Sequence, residues 1–150
     1  RMAVVATTGG VCLPPVAKLC RKLCGPIFLL KPARCAAART AYQIILSEIG
    51  LDKLRGRIRS WPETCTIYAE ESLALPETKA AVRRFPFVAT GKKISKLATV
   101  TVALGAMIED TGMFPAAALE TAIRTFQKPS IAEINLKAAA AGARLVGESP

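Results

Sequence analysis

The sequence predicts a single α/β domain with a mixed sheet and a helical C-terminal part. Short β-prone runs alternate with helical spacing in the first half of the chain, and helical segments follow one another in the second half. The 150 residues are enough for one sizeable core. Hydrophobic residues make up 51% of the chain and aromatic residues only 5%, which excludes disorder and favours closely packed, alanine-rich helices.

The chain opens with a predicted strand, a glycine-containing turn and a helix. Residues 2–6 are the strand, helical spacing runs through residues 11–24, and the turn between them comprises Thr7, Thr8, Gly9 and Gly10. Such a turn exposes backbone N–H groups at a helix N-terminus, where a phosphate or carboxylate can bind. Because neither a dinucleotide-binding glycine motif nor a P-loop occurs here, a purely structural turn is the alternative.

The middle of the chain contains further strand candidates. Residues 27–30 are apolar and predict a buried strand, and residues 42–46 and 65–69 are β-prone and predict two further strands. Pro76 and Glu77 predict the start of a helix over residues 78–84. Residues 85–89 predict another short strand, and its proline favours an edge position.

Four cations alternate with other residues between two of these strands: Lys53, Arg55, Arg57 and Arg59. In an extended segment all four would lie on one side. Arg55, Arg57 and Arg59 are therefore candidate contacts for a polyphosphate or an acidic partner. A solvated strand edge, on which cations deter aggregation, is the alternative.

The last third predicts three helices: residues 95–111 ending at Gly112, residues 115–126, and residues 130–141. Ser130 and Glu133 have the spacing of a capping box at the start of the third helix, and Gly142 is the expected terminator. The weakly polar run 97–108 is shorter than the ~20 residues that cross a bilayer, so no membrane span is expected.

Composition excludes several function classes. The chain has no histidine, which excludes Ser-His-Asp and Cys-His catalysis and histidine-containing zinc sites. Its five cysteines are an odd number without a CxxC pair, and no secretory-type segment opens the sequence. We therefore expect reduced thiols, a cytoplasmic protein and no metal or cluster held by this chain alone. Of the net charge of +10, residues 1–100 contribute +11 and residues 101–150 contribute −1, so the basic part of the chain favours anionic ligands or partners.

The C-terminal third resembles the gamma subunit of 2-oxoacid:ferredoxin (acceptor) oxidoreductases, such as those acting on pyruvate or ketoisovalerate. The order and spacing match at residues 98–107, 111–115, 119–123, 128–129 and 133–138. Residues 83–90 are similar to the strand and loop that precede this stretch in the family, and residues 43–47 and 62–69 are similar to earlier strands. Residues 4–10 and 17–19 resemble a degenerate form of the family's glycine-rich N-terminal motif.

Three departures mark a trimmed or divergent member. Only Gly9 and Gly10 remain of the usual Gly-Gly-Gln-Gly turn, and residues 34–39 replace a glycine-rich loop that contains a carboxylate. A strand and a helix of the family are missing between the equivalents of Leu73 and Val82.

The resemblance implies one gamma-like domain over residues 1–150, working in a hetero-oligomer with alpha, beta and delta-type subunits. Such complexes decarboxylate a 2-oxo acid oxidatively to an acyl-CoA. Thiamine diphosphate, Mg and iron–sulfur clusters belong to the partner subunits, coenzyme A is the co-substrate, and ferredoxin or another acceptor takes the electrons. No catalytic residue or metal ligand is implied on this chain.

Two other functions remain open from the residues alone. A basic nucleic-acid-binding module would use the first two-thirds of the chain, but only Tyr42 and Trp61 lie near the cations as stacking platforms, which disfavours nucleic acid. A stand-alone phosphate- or nucleotide-binding α/β domain would use the turn from Thr7 to Gly10.

Overall fold

A computed structural model of the chain describes residues 2–7 and 40–147. The chain divides into two compact units, Arg1–Phe85 and Pro86–Pro150. Among the described residues, the first unit contains a sheet and a helix and the second contains helices alone, so the α/β class with a helical C-terminal part is confirmed. The assignment of residues 1–150 to one domain stays a prediction.

The first unit contains a four-stranded sheet in the order β1-β2-β3-β4. Its strands are β1 (Met2–Thr7), β2 (Thr40–Ile45), β3 (Cys65–Glu70) and β4 (Ala81–Phe85). Every pairing among these strands is parallel, so the described sheet is not the mixed sheet that the sequence predicted. The strand predicted at residues 27–30 lies outside the described residues.

One helix, α1 (Glu48–Ile58), connects β2 to β3 and covers one face of the sheet. Its buried side chains Leu51, Leu54 and Ile58 recur at helical spacing and pack with β-strand residues that share one face, which are Ile45, Cys65, Ile67 and Ala69. The hydroxyl of Ser47 caps the helix by accepting a hydrogen bond from the backbone N–H of Gly50 at 3.2 Å. This helix was missed in the sequence, where residues 53–59 were expected to be extended.

The crossover from β3 to β4, residues 71–80, contains no helix. Leu73, Leu75 and Ala80 pack against the same apolar cluster as α1, and the hydroxyl of Thr78 donates to the carbonyl of Ile58 at 2.7 Å. The helix predicted over residues 78–84 is therefore wrong, because most of this segment forms β4. Pairing with β3 and a hydrogen bond from Arg84 to the carbonyl of Leu73 at 2.7 Å hold the strand in place.

The second unit consists of α2 (Phe87–Ile94), α3 (Thr99–Thr111), α4 (Ala116–Phe126) and α5 (Pro129–Gly147). The strand predicted at residues 85–89 is wrong, because only Phe85 belongs to a strand and α2 begins at Phe87. Proline at position 86 precedes the first helical turn, where its missing N–H has no helical partner to lose. The predicted end of α3 at Gly112 is confirmed, with φ of 58° in the left-handed region.

The predicted start and end of α5 need correction. The helix begins at Pro129, so Ser130 already lies within its first turn, and the carbonyl of Lys128 accepts from the N–H groups of Ile131 and Ala132. Gly142 does not terminate the helix but lies inside it, buried against α3.

Helices α3 and α5 approach so closely that backbone contacts backbone. A Cβ added to Gly142 would collide with the carbonyl of Val102, and one added to Gly105 would collide with the carbonyl of Ala139. Beside this contact the Thr101 hydroxyl donates to Oδ1 of Asn135 at 3.0 Å. The Asn135 amide in turn donates to Oε1 of Gln127 at 2.7 Å, so one polar chain joins α3, α5 and the α4–α5 connection. No helix in the described part of the chain is both long and apolar enough to cross a bilayer.

Candidate functional site

The carboxyl edge of the parallel sheet is the first candidate site, because ligands of open α/β folds bind beyond the carboxyl ends of the strands. Thr7, Ile45 and Ala69 lie level at this edge in neighbouring strands. Thr7 is the last residue of β1 and the first residue of the predicted anion-binding turn. Thr8, Gly9 and Gly10 lie outside the described residues.

The start of α1 also lies at this edge, since the helix follows β2 directly. The chain itself already supplies partners for the first turn of this helix. The Ser47 hydroxyl accepts a hydrogen bond from the N–H of Gly50, and Glu48 places a negative charge beside the N-terminus. A bound anion would meet the Glu48 carboxylate there. These two features make the start of α1 a poor site for an anion.

Two buried polar side chains lie in the central strands, Gln43 in β2 and Glu70 at the end of β3. Among the described residues, no buried side-chain nitrogen or oxygen lacks a hydrogen-bond partner. These side chains therefore show no unsatisfied polar atom directed at a ligand. Glu70 was not singled out in the sequence, and its position one residue past an apolar strand was the signal that could have found it.

The basic run lies on α1 and on the turn that follows it, not on an extended segment. Side chains two residues apart in a helix are rotated by about 200° about the helix axis, so the four cations do not form a single row. The side chains of Arg55, Arg57 and Arg59 are all exposed. The structure thus corrects the geometry of this candidate contact.

Arg55 differs from the other two arginines because acidic neighbours on α1 already pair with it. Its guanidinium donates to Oδ1 of Asp52 at 3.1 and 3.2 Å and lies 3.8 Å from a carboxylate oxygen of Glu48. Within the described ranges, Arg57 and Arg59 form no ion pair. The same holds for Lys53, so these three side chains carry the unbalanced charge of the run.

The two predicted anion contacts lie at opposite edges of the sheet. Helix α1 starts at the carboxyl end of β2 and returns the chain to the amino end of β3, as every parallel crossover must. Arg57 is in its last turn and Arg59 is its C-cap, so both lie toward the amino edge. Thr7 lies at the carboxyl edge, and one small anion cannot contact both groups.

The cysteines offer one described position. Cys65 is the first residue of β3 and is buried in the apolar cluster under α1. Cys12, Cys20, Cys24 and Cys35 lie outside the described residues. Across residues 2–7 and 40–147, no three side chains of the His, Cys, Asp and Glu types come together as a group that could hold a metal ion.

Comparison with known proteins finds a likeness in structure alone. No family model and no curated protein matches the chain. The chain is similar to the crystal structure of a keto/oxoacid ferredoxin oxidoreductase gamma subunit from Geobacter sulfurreducens PCA, with a TM-score of 0.62. The likeness covers 76% of this chain and 67% of that one at 21% sequence identity, so the two proteins share a fold.

Proposed function

We propose that this chain is the gamma-type subunit of a thiamine diphosphate-dependent 2-oxoacid:ferredoxin (acceptor) oxidoreductase complex. The complex would decarboxylate a 2-oxo acid oxidatively to an acyl-CoA and pass the electrons to iron–sulfur clusters in partner subunits. The observation that carries this proposal is the fold shared with a solved gamma subunit over 76% of the chain.

A second, separate support is where the family-like residues lie. The stretches 98–107 and 133–138 fall on α3 and α5, and they contain Gly105 and Asn135. Gly105 allows the close approach of the two helices, and Asn135 joins them through hydrogen bonds. The sequence resemblance therefore coincides with the residues that build the helical unit of this fold.

In the proposed complex, this chain contributes surface rather than reacting groups. Thiamine diphosphate with Mg supplies the carbanion chemistry when bound to partner subunits, and cofactors of this kind carry the difficult steps while protein residues position them.

The two candidate anion contacts receive separate roles in this proposal. We assign residues 7–10 to the path of coenzyme A, because their sequence favours a phosphate-binding turn and Thr7 lies at the carboxyl edge of the sheet. Arg57 and Arg59 contact an acidic partner surface at the other edge, because long cationic side chains steer and orient such partners. Arg55 belongs to neither contact, since Asp52 and Glu48 already pair with it.

The nucleic-acid alternative loses support in the structure. Trp61 packs against the apolar cluster of the first unit, and the ring of Tyr42 lies 6.4 Å from the ring of Tyr68. Both aromatic side chains that could have stacked on bases therefore already have partners within the fold.

Co-expression with candidate alpha, beta and delta-type subunits tests the proposed function. We expect native mass spectrometry of the purified complex to show this chain in fixed ratio with the others, and the complex to reduce a dye when given a 2-oxo acid and coenzyme A. A colourless monomer that does not bind those subunits would contradict the proposal. Co-purifying nucleic acid would instead favour the basic-module alternative.

A further inference from the structure

The corner between α2 and α3 presents an unusual surface, which we name the lysine corner and define as Lys92, Lys93, Lys96 and Leu97. The side chains of the three lysines are exposed. Leu97 is 86% exposed, the highest value among the large hydrophobic residues described as exposed, whereas Ala98 beside it is completely buried. Single exposed apolar residues are common, but one this prominent inside a group of cations is not explained by packing.

Short contacts on both sides fix the lysine corner. Gly91 lies so close to Thr99 that an added Cβ would collide with the Thr99 backbone and hydroxyl, so no longer side chain fits between the two helices. The N–H of Ser95 donates to the carbonyl of Gly91 at 2.9 Å, and the N–H of Ala98 donates to the carbonyl of Ser95 at 3.1 Å. The hydroxyl of Ser95 also accepts from the N–H of Leu97 at 3.4 Å. Leu97 is thus held outward by a hydrogen-bonded turn.

The charge of the corner is not balanced within its own surroundings. None of the three lysines forms an ion pair within the part of the chain that the structure describes. Lys92 and Lys93 lie in the last turn of α2, where cations complement the helix dipole. That effect does not account for Lys96 or for Leu97, which lie beyond the end of the helix.

The size and composition of the corner decide which kind of partner it suits. Lysine is depleted in permanent interfaces, whose cores are large and apolar. A single apolar anchor surrounded by cations instead suits a small, transient contact in which charge steers the partner and the anchor orients it. The complementary surface is acidic and has an apolar recess that accepts one leucine.

We propose that the lysine corner docks an acidic electron-carrier protein transiently. This inference rests on the proposed function, because such a complex passes its electrons to a separate acceptor, and exposed cations around one apolar side chain suit an acidic acceptor. The three lysines attract the carrier and Leu97 enters its apolar recess. The corner therefore acts on encounter and affinity and takes no part in the chemistry.

The test compares two acceptors of the assembled complex, ferredoxin and a small dye that needs no docking surface. Replacing Lys92, Lys93 and Lys96 with glutamine should raise the KM for ferredoxin roughly tenfold at low salt, and the difference should shrink as salt screens the wild-type attraction. Leu97→Ser should raise the same KM at every salt concentration. The rate with dye should stay at the wild-type value in both variants, because neither touches the reacting groups.

Matched controls separate docking from general effects of charge and apolar surface. The triple change of Arg124, Lys128 and Lys137 to glutamine removes the same charge from other exposed positions, and Ile49→Ser removes another exposed apolar side chain, which is 61% exposed. We expect both controls to leave the KM for ferredoxin unchanged.

Direct titration of ferredoxin onto each complex keeps the two proposals apart. Equal affinity for wild type, the triple lysine variant and Leu97→Ser would overturn the docking site even if the complex is active with dye. If the complex has no dye activity with any 2-oxo acid, the proposed function fails, and the titration still decides whether the corner binds an acidic protein.

Discussion

The packing inside the first unit differs from the packing inside the second. In the first unit, large aliphatic side chains such as Leu51, Ile58 and Ile67 fill the space between α1 and the sheet. In the second unit, α3 and α5 meet through Gly105 and Gly142 with no side chain between them. The stability of the first unit therefore depends on large side chains that fill its core. The stability of the α3–α5 contact in the second unit depends on the absence of side chains at its glycines.

The difference teaches which substitutions each unit tolerates. Removing methylene groups leaves a cavity where side chains fill the space, whereas adding one methyl group forces backbones apart where glycine allows the contact. The single tryptophan, Trp61, packs against the cluster of the first unit, so its fluorescence reports on that unit. Of the five described helices, four lie in the second unit, and circular dichroism at 222 nm weights that unit more heavily.

The largest expected effect is a cavity in the first unit. Leu51 lies on α1 and is completely buried, so Leu51→Ala should lower the free energy of unfolding by about 3 kcal/mol. The urea midpoint followed by Trp61 fluorescence should fall accordingly. A change below about 1 kcal/mol would mean that the cluster collapses around the gap.

An added methyl group in the second unit should have the next largest effect. Gly142→Ala should cost about 2 kcal/mol, because the new Cβ meets the carbonyl of Val102. Gly56→Ala is the matched control, since nothing lies within 4 Å of a Cβ at that helical position, and it should stabilise the chain by about 0.5 to 1 kcal/mol. Circular dichroism should show opposite shifts for the two variants. Equal shifts would refute the contrast between the units.

A smaller effect is expected from the polar chain of the second unit. Asn135→Ala removes hydrogen bonds to both Thr101 and Gln127 and should cost about 1 kcal/mol, since these side chains are partly buried. Thr101→Val, which keeps the shape and removes only one bond, should cost less. An equal loss in both variants would show that packing rather than hydrogen bonding accounts for the effect.

The smallest effect on stability is expected at the exposed arginines. Changing Arg57 and Arg59 to glutamine should leave the unfolding midpoint unchanged but weaken attraction to an acidic partner at low salt. Arg55→Gln should weaken that attraction less, because Asp52 and Glu48 already balance its charge. Binding of an acidic partner subunit across a salt series measures this. Identical salt dependence in all variants would reduce the run to an ordinary solvated surface.

Apolar patterns predicted most of the framework correctly. The strands at residues 42–46 and 65–69 and the helices from α3 to α5 were found because their period is unambiguous and their burial follows it. Helix α1 was missed because the cations at every second position mimic a strand. The stronger signals were Ser47 as a cap and the spacing of Leu51, Leu54 and Ile58.

The remaining errors arose where tertiary contacts outweigh local preference. Residues 78–84 begin like a helix after Pro76, but pairing with β3 makes most of them a strand. Gly142 looks like a helix end and instead serves a contact with a helix far away in sequence. The three lysines of the lysine corner, Lys92, Lys93 and Lys96, can be read from the sequence. The exposure of Leu97 could not be inferred from spacing, because it depends on the turn that Ser95 holds by hydrogen bonds.

The helix-free crossover between β3 and β4 has a consequence for the order of folding. Residues 71–80 alone separate these two parallel strands, whereas residues 8–39 separate β1 from β2. Closing a shorter loop costs less conformational entropy, so contacts between nearby residues form sooner. We expect β3 and β4 to pair with each other and pack against α1 early, and β1 to join the sheet last. Pulse-labelled hydrogen exchange would detect this order as late protection of residues 2–7. The strand that ends at Thr7 would then be the last part of the described sheet to form.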